Sequence, residues 1–174
     1  MPTNIEFSTP QEIEKLPCIC AGMNGGCQST SRGATFTFKP EGGPAWVGCF
    51  GVVSVHYPTA ALQLGKGVAF VIIAGGAAYF VDTLSRRIEE IFGAAFNAWT
   101  LEEVGCVVLS DATCLVLIGE SGVQWVSRRF ATDGIAGIYL ADGWIHGDAC
   151  NCQGGWVRFR VCARSGEVVG GESW

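Results

Sequence analysis

From residue 34 onward, short runs of β-branched and aromatic residues alternate with glycine-containing turns. In the segment ATFTFK at 34–39, alternation places Phe36 and Phe38 on one face of a strand and Thr35 and Thr37 on the other. Similar runs predict strands at 46–56, 68–74, 77–82, 88–92, 106–110, 114–119, 123–127, 135–140, 144–149, 156–163 and 167–169. The pattern therefore predicts an all-β fold of about ten to twelve short strands.

The first 33 residues differ from the rest of the chain. Thr9 is a typical helix N-cap, with Pro10 at the first helical position and Glu12 at the third, so a short helix is predicted at 10–15. The stretch 18–33 is rich in Gly, Ser, Asn and Cys without hydrophobic periodicity, which predicts a loop. We therefore expect an N-terminal segment at 1–33 and a single all-β domain at 34–174.

A faint internal repeat suggests how the strands are arranged. Gly67 begins a succession of strand, glycine turn and strand, and a similar succession begins 38 residues later at Gly105. The Gly75–Gly76 pair supplies the positive φ angles of a tight hairpin. The repeat predicts two packed antiparallel sheets of propeller-like hairpins, and an ordinary β-sandwich is the alternative.

Four segments carry a recognisable pattern: AGGAAYFVDT at 74–83, WVSRRFATDGI at 125–135, DGWIHGDAC at 142–150 and FRVCARSGEVVGG at 159–171. They resemble a group of uncharacterised bacterial all-β proteins built from propeller-like hairpin repeats. The last has the group's F-x-V-x-x-x-S/T-G-x-x-x-G-G pattern, with Cys162 where those proteins carry aspartate and Ser165 where they carry threonine. The resemblance implies a β architecture, and it implies no activity.

Composition and charge limit the classes of partner. The net charge is −5 and no run of Lys or Arg occurs, so nucleic-acid binding is not expected. The longest nearly apolar stretch, 68–81, is shorter than a membrane-spanning helix, and residues 1–17 lack the pattern of a secretory signal. We expect a cytoplasmic protein without membrane contact. Only 16% of residues are charged, so a partner or a second copy of the chain could cover apolar surface.

Cysteine is abundant, but its spacing is not that of a typical zinc protein. Nine cysteines are an odd number, and without a secretion signal they predict reduced thiols rather than a disulfide framework. We predict no cofactor and no metal. The weaker alternative is a joint site from two CxC pairs, Cys18 with Cys20 and Cys150 with Cys152.

Two histidines, His56 and His146, limit the possible catalytic constellations. Cys49 and His56 are seven residues apart, which places them on opposite faces of a regular strand. No nucleophile motif and no phosphate-binding glycine loop occurs in the sequence. A small hydrolase or thiol enzyme using His56 or His146 therefore stays an alternative to a non-catalytic protein.

The last hairpin carries the most informative surface. Alternation collects six side chains on one face of the two strands: Trp144, His146, Asp148, Trp156, Arg158 and Arg160. The expected cross-strand pairs are Asp148 with Trp156, His146 with Arg158 and Trp144 with Arg160. Tryptophan and arginine are enriched at recognition surfaces. We predict a non-catalytic binding or protein-interaction domain that uses this face for a protein or a small molecule; a solvated outer face is the alternative.

Overall fold

The computed structural model describes residues 4–8, 15–22 and 33–172, and within these ranges the regular structure is almost entirely β-strand. Sixteen strands and one 3-10 helix, Glu102–Val104, occur in the described residues. The all-β prediction is confirmed. All but the last residue of the helix predicted at 10–15 lies outside the described residues.

The strands of the described residues form four sheets of four strands, which we number 1–4 along the chain. Sheet 1 contains β1 (Asn4–Phe7), β2 (Cys18–Ala21), β3 (Gly33–Lys39) and β4 (Trp46–Gly51) in the order β1-β3-β4-β2. Strand β2 is parallel to β4, whereas the other pairs in sheet 1 are antiparallel. Residues 18–21, predicted as part of a loop, are therefore an edge strand.

The other three sheets are antiparallel meanders, in which each strand pairs with its neighbour in the sequence. Sheet 2 contains β5 (Thr59–Gln63), β6 (Ala69–Ala74), β7 (Ala77–Asp82) and β8 (Arg87–Phe92). Sheet 3 contains β9 (Asn97–Leu101), β10 (Cys106–Ser110), β11 (Leu115–Gly119) and β12 (Gly122–Val126). Sheet 4 contains β13 (Ile135–Ala141), β14 (Trp144–Cys150), β15 (Trp156–Cys162) and β16 (Val168–Gly170).

The internal repeat corresponds to whole sheets. The first strands of sheets 2, 3 and 4 begin at residues 59, 97 and 135, a constant interval of 38 residues. The predicted number of sheets, two, was wrong, because the described residues form four sheets. The strand count was also too low, since β1, β2, β5 and β9 were not predicted. The sequences CICA, TAALQ and NAWTL lack a clear period-two pattern of apolar residues, and NIEF alternates over only four residues.

The chain divides into two compact units, residues 1–95 and 96–174. In the first unit, one core joins aromatic residues of sheet 1, including Phe38 and Phe50, to residues of sheet 2 such as Tyr79. In the second, one core joins sheet 3 to sheet 4 through residues such as Trp125 and Phe159. Each unit is thus a pair of sheets packed face to face. The domain boundaries predicted from the sequence, 1–33 and 34–174, stay a prediction.

A tryptophan hydrogen bond ties the two sheets together in each unit. In the first unit, Trp46 Nε1 donates to the carbonyl oxygen of Thr83, at 3.0 Å. In the second, Trp125 Nε1 donates to the carbonyl oxygen of Ala163, at 2.9 Å. Both carbonyls belong to the residue just after the third strand of a sheet. A buried indole N–H requires such a partner, so the bonds fix where the ring lies.

A glycine turn closes the β6–β7 hairpin where the sequence predicted it. Gly75 and Gly76 have φ of 53° and 96° between β6 and β7. Asp142 and Gly143, with φ of 50° and 76°, make the equivalent turn between β13 and β14. In the described part of the chain, no helix has the length and apolar character needed to cross a membrane.

Candidate functional site

The predicted faces of the last hairpin are confirmed by burial. Along β14 and β15 the inward residues, among them Ile145 and Phe159, belong to the core of the second unit. On the opposite face, Arg158 and Arg160 are exposed, and Trp156 is 56% exposed. The remaining predicted residues of this face, Trp144, His146 and Asp148, are partly buried.

The predicted cross-strand pairs were wrong by two residues. The observed pairs are Asp148 with Arg158, His146 with Arg160, Cys150 with Trp156 and Trp144 with Cys162. The shift arises because β14 continues to Cys150 and the turn is closed by Asn151. Asn151 Oδ1 accepts hydrogen bonds from the backbone N–H of Gln153 (3.0 Å) and Gly155 (2.8 Å). A shift of two residues keeps every side chain on its predicted face.

A bulge in the neighbouring strand adds a residue that the sequence reasoning missed. Between the pairs Ala136–Asp148 and Tyr139–His146, β13 contains one more residue than β14. Gly137 has φ of +64°, the left-handed conformation that glycine adopts without strain. The extra residue places the Tyr139 ring, which is 56% exposed, beside His146. The glycine within a predicted strand was the available signal.

These strands form a cleft on the exposed face of sheet 4. The cleft has a volume of about 410 Å³. Its principal side chains are Tyr139, His146, Asp148, Arg158, Arg160 and Val169. The structure thus brings four of the six predicted site residues into one concave surface, which we call the sheet-4 cleft. Trp144 and Trp156 do not line it.

Ring contacts orient two of the basic side chains. The Tyr139 and His146 rings are stacked, with centroids 5.1 Å apart and an interplanar angle of 11°. The guanidinium carbon of Arg160 lies 4.5 Å from the Trp144 ring centroid. These contacts hold the imidazole and one guanidinium at the sheet surface.

The charge of the cleft is predominantly positive. Arg158 and Arg160 face it together with the single carboxylate of Asp148. Among the described residues, no carboxylate oxygen lies within 4.0 Å of either guanidinium. The two arginines therefore present hydrogen-bond donors to the cleft rather than to internal salt bridges.

The two histidines have different surroundings. His56 is exposed beyond the end of β4, whereas Cys49 is buried within that strand. His146 lies in the sheet-4 cleft. In ranges 4–8, 15–22 and 33–172, no hydrogen bond joins either imidazole to a Cys, Ser, Asp or Glu side chain. The structure therefore forms neither a Cys–His nor a Ser–His pair in these ranges.

The four-cysteine metal alternative involves residues of both units. Cys150 and Cys152 lie in the second unit, where the Cys150 thiol donates to the Asn151 carbonyl at 3.7 Å. Glu172 is the main interaction partner of Cys152, and the Glu172 carboxylate raises the pKa of the Cys152 thiol. The joint site stays a prediction. A different cluster, Cys18 and Cys20 with Cys49, brings sulfur atoms together in the first unit.

Comparison with known proteins adds no functional assignment. Neither a protein-family model nor a curated protein matches the chain. The function is therefore argued from the geometry of the sheet-4 cleft.

Proposed function

We propose that the protein is a non-catalytic binding protein that holds a small organic anion in the sheet-4 cleft. The observation that carries this proposal is a concave surface of about 410 Å³ that Arg158, Arg160 and His146 share. Small-molecule sites typically have volumes of about 300–1,000 Å³ and a few convergent polar groups. The cleft agrees with both criteria.

The side chains define the chemical class of the ligand. A guanidinium offers N–H donors in a planar fork that matches a carboxylate or a phosphate. The Tyr139 ring offers an aromatic surface beside the basic groups. Asp148 Oδ atoms can accept a hydrogen bond from a hydroxyl or amine of the same ligand. A small acid that carries such a donor is complementary to the cleft.

The test is a binding titration with defined probes. A set of hydroxy and amino derivatives of benzoate and phenyl phosphate is screened by thermal shift, and the best compound is titrated calorimetrically. Arg158→Ala and Arg160→Ala should each weaken binding by about 1–2 kcal/mol, as expected for a central arginine anchor. The matched control is Arg164→Ala, which removes an exposed arginine outside the cleft. The proposal fails if no probe binds, or if all three variants bind like the wild-type protein.

A protein partner or a second copy of the chain is the second candidate occupant of this face. Three large apolar side chains are exposed there: Tyr139 and Trp156 at 56% each, and Val169 at 42%. Apolar groups among polar ones are typical of interaction surfaces. Sedimentation velocity over a wide concentration range tests self-association, and Trp156→Ala should then shift the equilibrium toward the monomer.

The alternative function is a hydrolase or thiol enzyme that uses His56 or His146. Turnover of p-nitrophenyl acetate or p-nitrophenyl phosphate that disappears in His146→Ala and persists in His56→Ala would favour a hydrolase centred on the cleft. Turnover that both variants retain would assign the activity to neither histidine.

A further inference from the structure

Strand β2 brings two cysteines beside a third that is remote in sequence. β2 is parallel to β4, and Cys20 is the register partner of Cys49. Cys18 precedes Cys20 by two residues, so its side chain points to the same face of the sheet. The three Sγ atoms all lie within 4.8 Å of one another, and Cys18 Sγ is 3.1 Å from Cys49 Sγ. We call these residues the sheet-1 cysteine cluster.

The cluster contains cysteines in the disulfide form and one in the thiol form. Cys18 and Cys20 are disulfide-bonded, whereas Cys49 is a buried free thiol. The sequence predicted mostly reduced thiols, and the two cysteines of β2 are exceptions to that prediction. The sequence could not show that Cys49 lies beside them, because the position of β2 beside β4 depends on strand pairing and not on local pattern.

We infer that the reduced sheet-1 cysteine cluster binds one thiophilic divalent metal ion, such as Zn²⁺. Zinc binds cysteine sulfur at about 2.3 Å in tetrahedral geometry, which separates two sulfur ligands by about 3.8 Å. A sulfur set within 4.8 Å needs only small side-chain rotations to reach that spacing. Three thiolates leave the fourth tetrahedral position to another ligand, such as water.

The oxidation state of the cluster decides whether the metal can bind. A phosphine reductant supplies two electrons to each disulfide, two protons complete the thiols, and the phosphine takes up an oxygen atom from water. Each thiol then loses its proton as it ligates the metal, so binding at three cysteines releases up to three protons. A sulfur atom in a disulfide has no thiolate to donate, which predicts that the oxidised chain does not bind.

Cobalt titration of the full chain tests this inference. Co²⁺ is added to the phosphine-reduced protein under nitrogen, and the absorption of the thiolate-to-cobalt charge-transfer band is recorded. We expect saturation at one equivalent, displacement by Zn²⁺ and no band with the oxidised protein. Absence of the band from the reduced protein, or an equal band from the oxidised one, would overturn the inference.

Matched cysteine variants locate the site. Cys20→Ser should lower the affinity for Co²⁺ by at least about tenfold, since removing even a supporting group costs that much. Cys20 is exposed, so this variant leaves the packing of the core intact. Cys49→Ser should have an equal or larger effect, with circular dichroism as a check on folding. The control, Cys114→Ser, changes a buried free thiol outside the cluster. Equal losses in Cys20→Ser and Cys114→Ser would contradict the assignment.

Discussion

The guanidinium of Arg160 lies over the ring of Trp144, although the two residues are not cross-strand partners. Arg160 is opposite His146 and Trp144 is opposite Cys162, so the 4.5 Å cation–π contact is diagonal. Long side chains reach such diagonal neighbours on one face of a sheet. The contact joins a predicted site residue outside the sheet-4 cleft to one inside it.

A double-mutant cycle should detect this contact. For Trp144→Leu and Arg160→Met we expect a coupling free energy of about 0.5–1 kcal/mol in urea unfolding, the range for exposed cation–π pairs. The control cycle uses Trp144→Leu with Arg158→Met. Equal coupling in the two cycles would show that the stacked geometry contributes nothing specific.

Two tryptophans of the second unit should differ strongly in their contribution to stability. Trp156 is 56% exposed, so Trp156→Ala should lower the free energy of unfolding by about 1 kcal/mol or less. Trp125 is 9% exposed and donates to the Ala163 carbonyl, so Trp125→Ala should cost about 3–5 kcal/mol. Urea unfolding followed by circular dichroism measures both. A loss of several kcal/mol in Trp156→Ala would mean that the faces of β15 are reversed.

Two glycines have nearly equal φ angles but different surroundings, so substituting each in turn distinguishes the cost of backbone strain from that of steric overlap. Gly143 has φ of +76° and open space around it, so Gly143→Ala should cost about 1–2 kcal/mol from conformation alone. Gly166 has φ of +73°, and a Cβ there would lie 2.9 Å from Cδ2 of Trp125. We expect Gly166→Ala to cost at least about 1 kcal/mol more, because the rigid indole must move. Thermal and urea unfolding of the two variants test the difference, and equal losses would contradict it.

Asp111 should contribute pH-dependent stability. Burial raises the pKa of its carboxyl, but hydrogen bonds from Thr113 and Cys114 lower it by more, so the pKa lies below its ordinary value of 3.8. Oδ1 accepts the backbone N–H of Thr113 at 2.6 Å and that of Cys114 at 2.9 Å. Asp111→Ala should therefore cost about 1–3 kcal/mol at neutral pH.

The sign of the pH effect follows from the lowered pKa. The contribution of Asp111 is complete above pH 3.8 and is lost as the pH falls through the lower folded-state pKa. Unfolding of Asp111→Ala and wild type should thus converge in acid. The control is Asp133→Ala, because Asp133 is exposed. A difference between Asp111→Ala and wild type that stays constant into strong acid would contradict the assignment.

Local pattern determined most of the strands and their faces. The predicted strands 77–82 and 106–110 coincide with β7 and β10, and the exposed face of Arg158 and Arg160 was assigned correctly. Side chains alternate with a period of two in any strand. The order of apolar and polar residues within a strand therefore predicts which side chains face the core and which face solvent. The turn at Gly75–Gly76 was equally local, since positive φ angles favour glycine.

Only the tertiary structure decided which segments meet. The cross-strand pairs of the sheet-4 cleft depend on how Asn151 closes its loop, and the position of Tyr139 depends on the bulge at Gly137. The sheet-1 cysteine cluster exists because β2 pairs in parallel with β4, 31 residues separating Cys18 from Cys49. Pairing between remote strands depends on backbone hydrogen bonds, loop closure and core packing together. The sequence pattern within either strand therefore does not predict its partner.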